Sequence, residues 1–197
     1  MDITNFEREK ERLNILLVAN RLKPATLTHS DISLREISIL ELIAEEHSCP
    51  FGVRLSSAVM KFNEFYMAID QKHLDDLFSA TTKSGEKKYR SLGRVFGYPE
   101  PAIEFFIQNR NCVQQMYQSL AKAELTGIEI PSWLAYISHI PEKLDFVTGN
   151  IAPTSKELGE KYQAFMRKRC PRFSKKLEAA FQEHLQVIRA LILSVKA

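Results

Sequence analysis

Apolar residues recur at helical spacing along most of the chain. Thr4 and Glu7 have capping-box spacing, and Phe6, Leu13, Leu16 and Leu17 follow near a 3.6-residue period, with the charged run Glu7 to Arg12 on the wet face. This predicts a first helix that fades between Asn20 and Lys23, because the residue before Pro24 avoids helical torsions. Ser33 and Glu36 repeat the start signal ahead of Leu34, Ile37, Leu40, Ile43 and Ala44, a second helix ending before Pro50. Ile39 and Leu42 fall off that stripe, which predicts cover on more than one side. The two helices are expected to pack together.

Between Phe51 and Ile69 the period changes. Val53, Leu55, Phe62, Phe65, Tyr66, Met67 and Ile69 are rich in strand-favouring types and predict one or two short strands. Such a ribbon is marginal alone and needs helices across it. Asp70 then caps a short helix with Leu74, Leu77 and Phe78 inward. Thr81 to Gly85 reads as a loop, and a helix follows over Lys87–Phe96. Gly97 suits its C-cap, and Pro99 suits the first turn of the next helix.

That next helix carries Ala102, Ile103, Phe105, Phe106 and Ile107, breaks near 109–111, and gives way to another reaching about Glu124. Gly127 to Pro131 is a turn region. Trp133, Leu134, Tyr136 and Ile137 form an aromatic segment closed by Pro141, and Asp145 to Thr154 reads as loop. Thr154 and Glu157 form a capping box ahead of Leu158, Tyr162, Phe165 and Met166. Pro171 opens a long helix with Phe173, Leu177, Phe181, Leu185, Ile188, Ile192 and Val195 on one side. The expected fold is mainly α: a single domain over 1–197, a small β element at 51–69 and a C-terminal helical hairpin. The place for an internal division is 81–85.

Composition narrows the class. The 197 residues are 45% hydrophobic and 26% charged, ordinary for a globular chain. No apolar run is long enough to span a bilayer, and Met1–Thr4 lacks the basic-then-apolar order of a secretory signal. Cys49, Cys112 and Cys170 are odd in number and far apart, which fits a reducing, cytoplasmic setting better than a disulfide framework.

The segment Leu92-Gly93-Arg94-Val95-Phe96-Gly97-Tyr98-Pro99-Glu100 is the most distinctive local pattern. Gly97 can take positive φ while Pro99 presets the next helix, whose first amides and Glu100 lie at a fixed helix mouth. Arg94 offers a planar donor fork, and with Tyr98 it is the candidate ligand-binding group for a small anion. Glu100 already suits the positive helix end and argues for a purely structural corner. His139 lies between Tyr136 and Pro141, where a histidine can act as a base or hold a loop. Glu100 and His139 are thus the candidate catalytic pair, with no cofactor indicated.

Gly97-Tyr98-Pro99-Glu100, Ser138-His139-Ile140-Pro141 downstream, and Leu158-Gly159-Glu160-Lys161-Tyr162 together resemble an uncharacterised prokaryotic protein family. That family's pattern places two cysteines after Gly-Tyr-Pro-Glu and further cysteines just beyond His-x-Pro. Here Pro101-Ala102 and Glu142 stand at those places, so any metal or thiol chemistry the family cysteines perform is not implied for this chain. The resemblance covers about residues 88–166 and implies no activity.

Other chemistries find little support. His47 and Cys49 have no partner at zinc-ligand spacing, so no metal site is expected. Neither a Walker loop nor a strand-led G-x-G-x-x-G is present. Charge supplies the alternative reading. Residues 1–80 carry 9 basic and 13 acidic side chains, whereas residues 154–197 carry 10 and 4, so the C-terminal part is basic. Arg167, Lys168, Arg169, Arg172, Lys175 and Lys176 gather at one helix corner. Arg167–Arg169 offset a helix C-terminus, but Arg172 and Lys175 open a helix whose dipole disfavours them. A noncatalytic module binding nucleic acid or an acidic protein is therefore the second function class.

Overall fold

The structure is a computed structural model. It describes residues 4–28, 32–57, 63–109 and 111–195, with side chains described only within residues 6–190. The Thr4 cap, Phe62, Ile192 and Val195 lie outside the described side chains. Mainly α is the fold: eight α-helices among the described residues, a small antiparallel sheet, and a C-terminal helical pair. No described helix is long and apolar enough to cross a membrane. By contact the chain forms two compact units, residues 11–98 and residues 1–10 with 99–197.

The unit of residues 11–98 is layered around three strands. Helix α1 (Thr4–Ala19) supplies its C-terminal part, followed by β1 (Ala25–Thr28), α2 (Leu34–Glu46), β2 (Phe51–Arg54), β3 (Glu64–Ala68), α3 (Gln71–Thr82) and α4 (Gly85–Val95). β3 is central and antiparallel to both neighbours, pairing Thr26 with Met67 on one side and Phe51 with Met67 on the other. Every β3 residue is buried, so its period-2 alternation serves two cores. Phe65 and Met67 join Ile15, Val18, Ile37 and Ala44 of α1 and α2. Tyr66 and Ala68 join Leu74 and Leu77 of α3, with Leu92 and Val95 of α4 against them. The expected cover of the strands by helices is present, and the first two helices contribute to one core cluster with β3, α1 through Ile15, Val18 and Ala19.

β1 has no counterpart in the sequence expectation. Its apolar signal is diluted by Thr26 and Thr28, both buried, and the Thr28 hydroxyl accepts from Phe65 N at 3.1 Å. A second difference concerns α2. The Ser33–Glu36 capping box forms, with Ser33 N donating to Glu36 Oε2 at 2.9 Å. Leu34, however, is 63% exposed, and the off-stripe Ile39 and Leu42 are exposed too. The helix buries one face, beginning one turn later at Ile37. The loop expected at 81–85 shrinks to Lys83 and Ser84 inside this unit: α3 runs through Thr82 and α4 starts at Gly85.

The other unit contains the first turns of α1, then α5 (Glu100–Gln108), α6 (Cys112–Thr126), a 3-10 turn (Ser132–Tyr136), a two-stranded ribbon of β4 (Leu144–Asp145) and β5 (Asn150–Ile151), α7 (Pro153–Arg169) and α8 (Pro171–Val195). The ribbon falls where loop was expected; two residues per strand leave no readable alternation. α7 starts earlier than the Thr154–Glu157 spacing implies. Its N-cap is Ala152, Pro153 fills the first turn, and no side chain caps it. Trp133, Tyr136, Tyr162, Met166, Leu177 and Phe181 are among the buried core residues.

Candidate functional site

The Gly97 corner closes α4 by backbone bonding alone. Tyr98 N donates to Gly93 O at 2.9 Å and Gly97 N to Arg94 O at 3.0 Å, the pairing of a Schellman motif, with Gly97 at φ +71°. Arg94 is exposed in the last turn of α4. The Tyr98 ring lies beneath Lys23 Nζ, 4.9 Å from the ring centroid, and Phe96 contacts the same ammonium at 5.5 Å. Lys23, 3% exposed, also donates to Asn14 Oδ1 at 2.8 Å. Tyr98 therefore covers a buried cation. Glu100, exposed, begins α5 in the other unit.

His139 is placed by the segment after the 3-10 turn and shares a 2.9 Å hydrogen bond between its Nε2 and Ser155 Oγ. Ser155 is fully buried in the first turn of α7, so this pair anchors the loop to the helix and does not present a nucleophile. The motifs behind the family resemblance have related packing roles: Gly159 lies against Trp133, and Tyr162 is buried.

His139 also lines a cavity of about 170 Å³. Phe6, Leu120, Leu134, Ile140 and Phe181 supply much of its apolar wall, and Lys10 and His184 are among its polar residues. Glu100 is not among the residues lining it, so this cavity brings no Glu100–His139 pair together. Lys10 Nζ donates to the carbonyls of Ala135, at 3.3 Å, and of Ile137. Burial lowers the Lys10 pKa to about 8, with Glu7 acting in the opposite direction. Carbonyl acceptors favour the ammonium form, so Lys10 works at neutral pH as a cationic staple on the 3-10 segment.

His184 is the most distinctive group in this wall. It is 8% exposed, stacked on Phe6 at 5.1 Å and tilted against Tyr117 at 6.1 Å. Its Nδ1 is buried with no hydrogen-bond partner among the described residues. Burial depresses its pKa from 6.5, so the ring is neutral at pH 7, with Glu7 raising and Lys10 lowering it to smaller extents. Sequence reasoning missed both Lys10 and His184, although a signal exists. Each occupies a periodic apolar position: Lys10 four residues after Phe6, and His184 three after Phe181.

The basic corner is partly spent on the protein's own structure. Arg167 forms a 2.9 Å ion pair with Glu178, and Lys176 a 2.7 Å pair with the buried Glu9. Lys168, Arg169, Arg172 and Lys175 are exposed. Beneath them, Glu178 Oε1 also accepts from the Tyr136 hydroxyl at 2.7 Å and from Gln163 Nε2 at 3.3 Å. All three cysteines are free. Comparison with known protein families, characterised proteins and solved structures gives no match to the chain.

Proposed function

We propose that this protein binds a small, mostly apolar molecule in the cavity shared by His139 and His184. The molecule is about one aromatic ring in size and carries a hydrogen-bonding group. The observation that supports this most directly is His184, which lines a largely apolar space and whose Nδ1 is buried with no hydrogen-bond partner among the described residues. Such an atom is costly to leave unsatisfied, and a ligand that satisfies it gains both a hydrogen bond and apolar burial. Volume sets the size: an apolar cavity of about 150 Å³ accommodates benzene, and this one measures about 170 Å³.

This reading is binding without catalysis. Ser155, which bonds to His139, is fully buried, and Lys10 is engaged by carbonyls. Among the sequence candidates, His139 stays in the site; Arg94, Tyr98 and Glu100 do not line this cavity. The basic corner supports a polyanion-binding module less well, because two of its six cations have internal partners. Free, largely buried cysteines suit the reducing cytoplasm expected from the sequence.

Titration calorimetry with phenol and toluene tests the proposal. Phenol should bind several-fold tighter than toluene, and His184→Leu should erase that difference. If neither compound binds, or if His184→Leu leaves the difference intact, the reading is lost.

A further inference from the structure

Resting on that ligand reading, we propose that the bound molecule carries an ammonium group and that Glu142 receives it. A second cavity, about 110 Å³, adjoins the first, and Met116, Ile140, Pro141 and Leu144 line both. The second is the polar one: Gln115, Ser119 and Glu142 contribute to its wall. Glu142 is half-buried, and its Oε2 is buried and accepts no hydrogen bond among the described residues. Each of the two adjoining spaces thus has in its wall a residue with a buried polar atom that has no hydrogen-bond partner among the described residues, His184 in one and Glu142 in the other.

The two atoms ask for different chemistry. A hydroxyl or amide N–H satisfies His184 or Glu142 as a hydrogen-bond partner, but only a cation also offsets the charge of a half-buried carboxylate. An anionic head would meet Glu142 with like charge, so the ligand's charge is opposite to that of the small anion expected from Arg94. The shared wall sets the reach. A ring in the larger space and an ammonium in the smaller must be joined by a short chain past Met116, whose unbranched side chain yields readily. The class is an arylalkylamine.

Calorimetry with three molecules of similar shape separates this inference from the reading beneath it: 2-phenylethylamine, 2-phenylethanol and 3-phenylpropionate. The amine should bind at least tenfold tighter than the alcohol, and the carboxylate weakest. Glu142→Gln should bring the amine to the alcohol's affinity and leave the alcohol unchanged, while the thermal midpoint of that variant shows that it folds. If the alcohol binds and the amine gains nothing over it, the ammonium assignment is overturned and the ring-binding reading stands. An amine advantage that survives Glu142→Gln also overturns it. If none of the three binds, both readings fall together.

Discussion

Gly159 of α7 lies against Trp133: a methyl group on its Cα would stand 2.5 Å from the indole Cε3 and 3.1 Å from the Trp133 carbonyl oxygen. Neither the fused ring nor the backbone can swing aside as a flexible chain end can. Gly159→Ala should therefore lose stability by about 1–3 kcal/mol through overpacking, despite the gain of up to about 1 kcal/mol in helix propensity. Urea unfolding of the two proteins measures the difference; a more stable alanine variant would show that the 3-10 turn moves freely.

Glu178 links α7, α8 and the 3-10 turn through one oxygen. Burial acts to raise its carboxyl pKa, but hydrogen bonds from Arg167, Tyr136 and Gln163 outweigh that and hold it below the usual 4.5. A depressed carboxyl contributes stability that is present above about 4.5 and lost as pH falls through the folded-state value. Glu178→Gln should flatten the stability–pH curve in that acid range, read from denaturation midpoints between pH 5 and pH 3. An unchanged curve would remove Glu178 from the account of acid sensitivity.

His184 acts in a separate window. Burial lowers its pKa below 6.5, so the unfolded chain binds the proton more readily and stability declines as pH falls from 6.5 toward the folded-state value. The imidazole C2 proton, followed by NMR, should titrate below that of an unfolded peptide. His184→Phe should keep the stacking on Phe6 and abolish this part of the pH dependence. A titration midpoint at or above 6.5 would contradict a buried neutral ring.

Lys10 holds carbonyls of the 3-10 segment that helix geometry leaves open. Lys10→Met should keep the apolar stem and lose about 1–3 kcal/mol, because buried carbonyls then go unsatisfied. Hydrogen exchange around residues 134–138 should quicken more than in α8. Equal acceleration everywhere would indicate global loosening without a local staple.

The basic corner divides into two kinds of cation. Replacing Lys168, Arg169, Arg172 and Lys175 by Gln should shift stability by no more than about 0.5 kcal/mol. Lys176→Gln should cost about 1–3 kcal/mol, since it strips a charged partner from the buried Glu9. Parallel urea melts compare the two sets, and equal costs would dissolve the distinction.

Much of the helical layout is readable in the chain because its signals are local. Ser33 with Glu36, Asp70 before Leu74, and Gly97 after Arg94 each act within a few residues, and each forms as its spacing implies; Pro99, expected in the first turn of α5, is instead its N-cap, and Pro101 takes the first-turn place. β1 is different in kind. Thr26 and Thr28 are polar in the sequence and become core residues only once β3 lies beside them. Thr154 and Glu157 show the reverse case, a correct spacing displaced by a proline one residue earlier. The cavity was legible only through His139. Lys10, His184 and Glu142 acquire meaning from what surrounds them, and neighbours far apart in the chain leave no trace in spacing.

Three glycines share nearly one positive φ, +71° for Gly97, +69° for Gly127 and +71° for Gly149. A side chain at Gly127 or Gly149 would meet nothing within 4 Å, whereas one at Gly97 would meet Pro24 Cδ at 2.8 Å. Torsion alone predicts equal intolerance, and in a saturation library the three positions should part company. Asn, which tolerates the left-handed region, should be recovered at 127 and 149 and be lost at 97. Substitutions that shrink the ring at position 24 should be enriched among any survivors at 97, tying the two positions together as a pair that changes jointly or stays fixed.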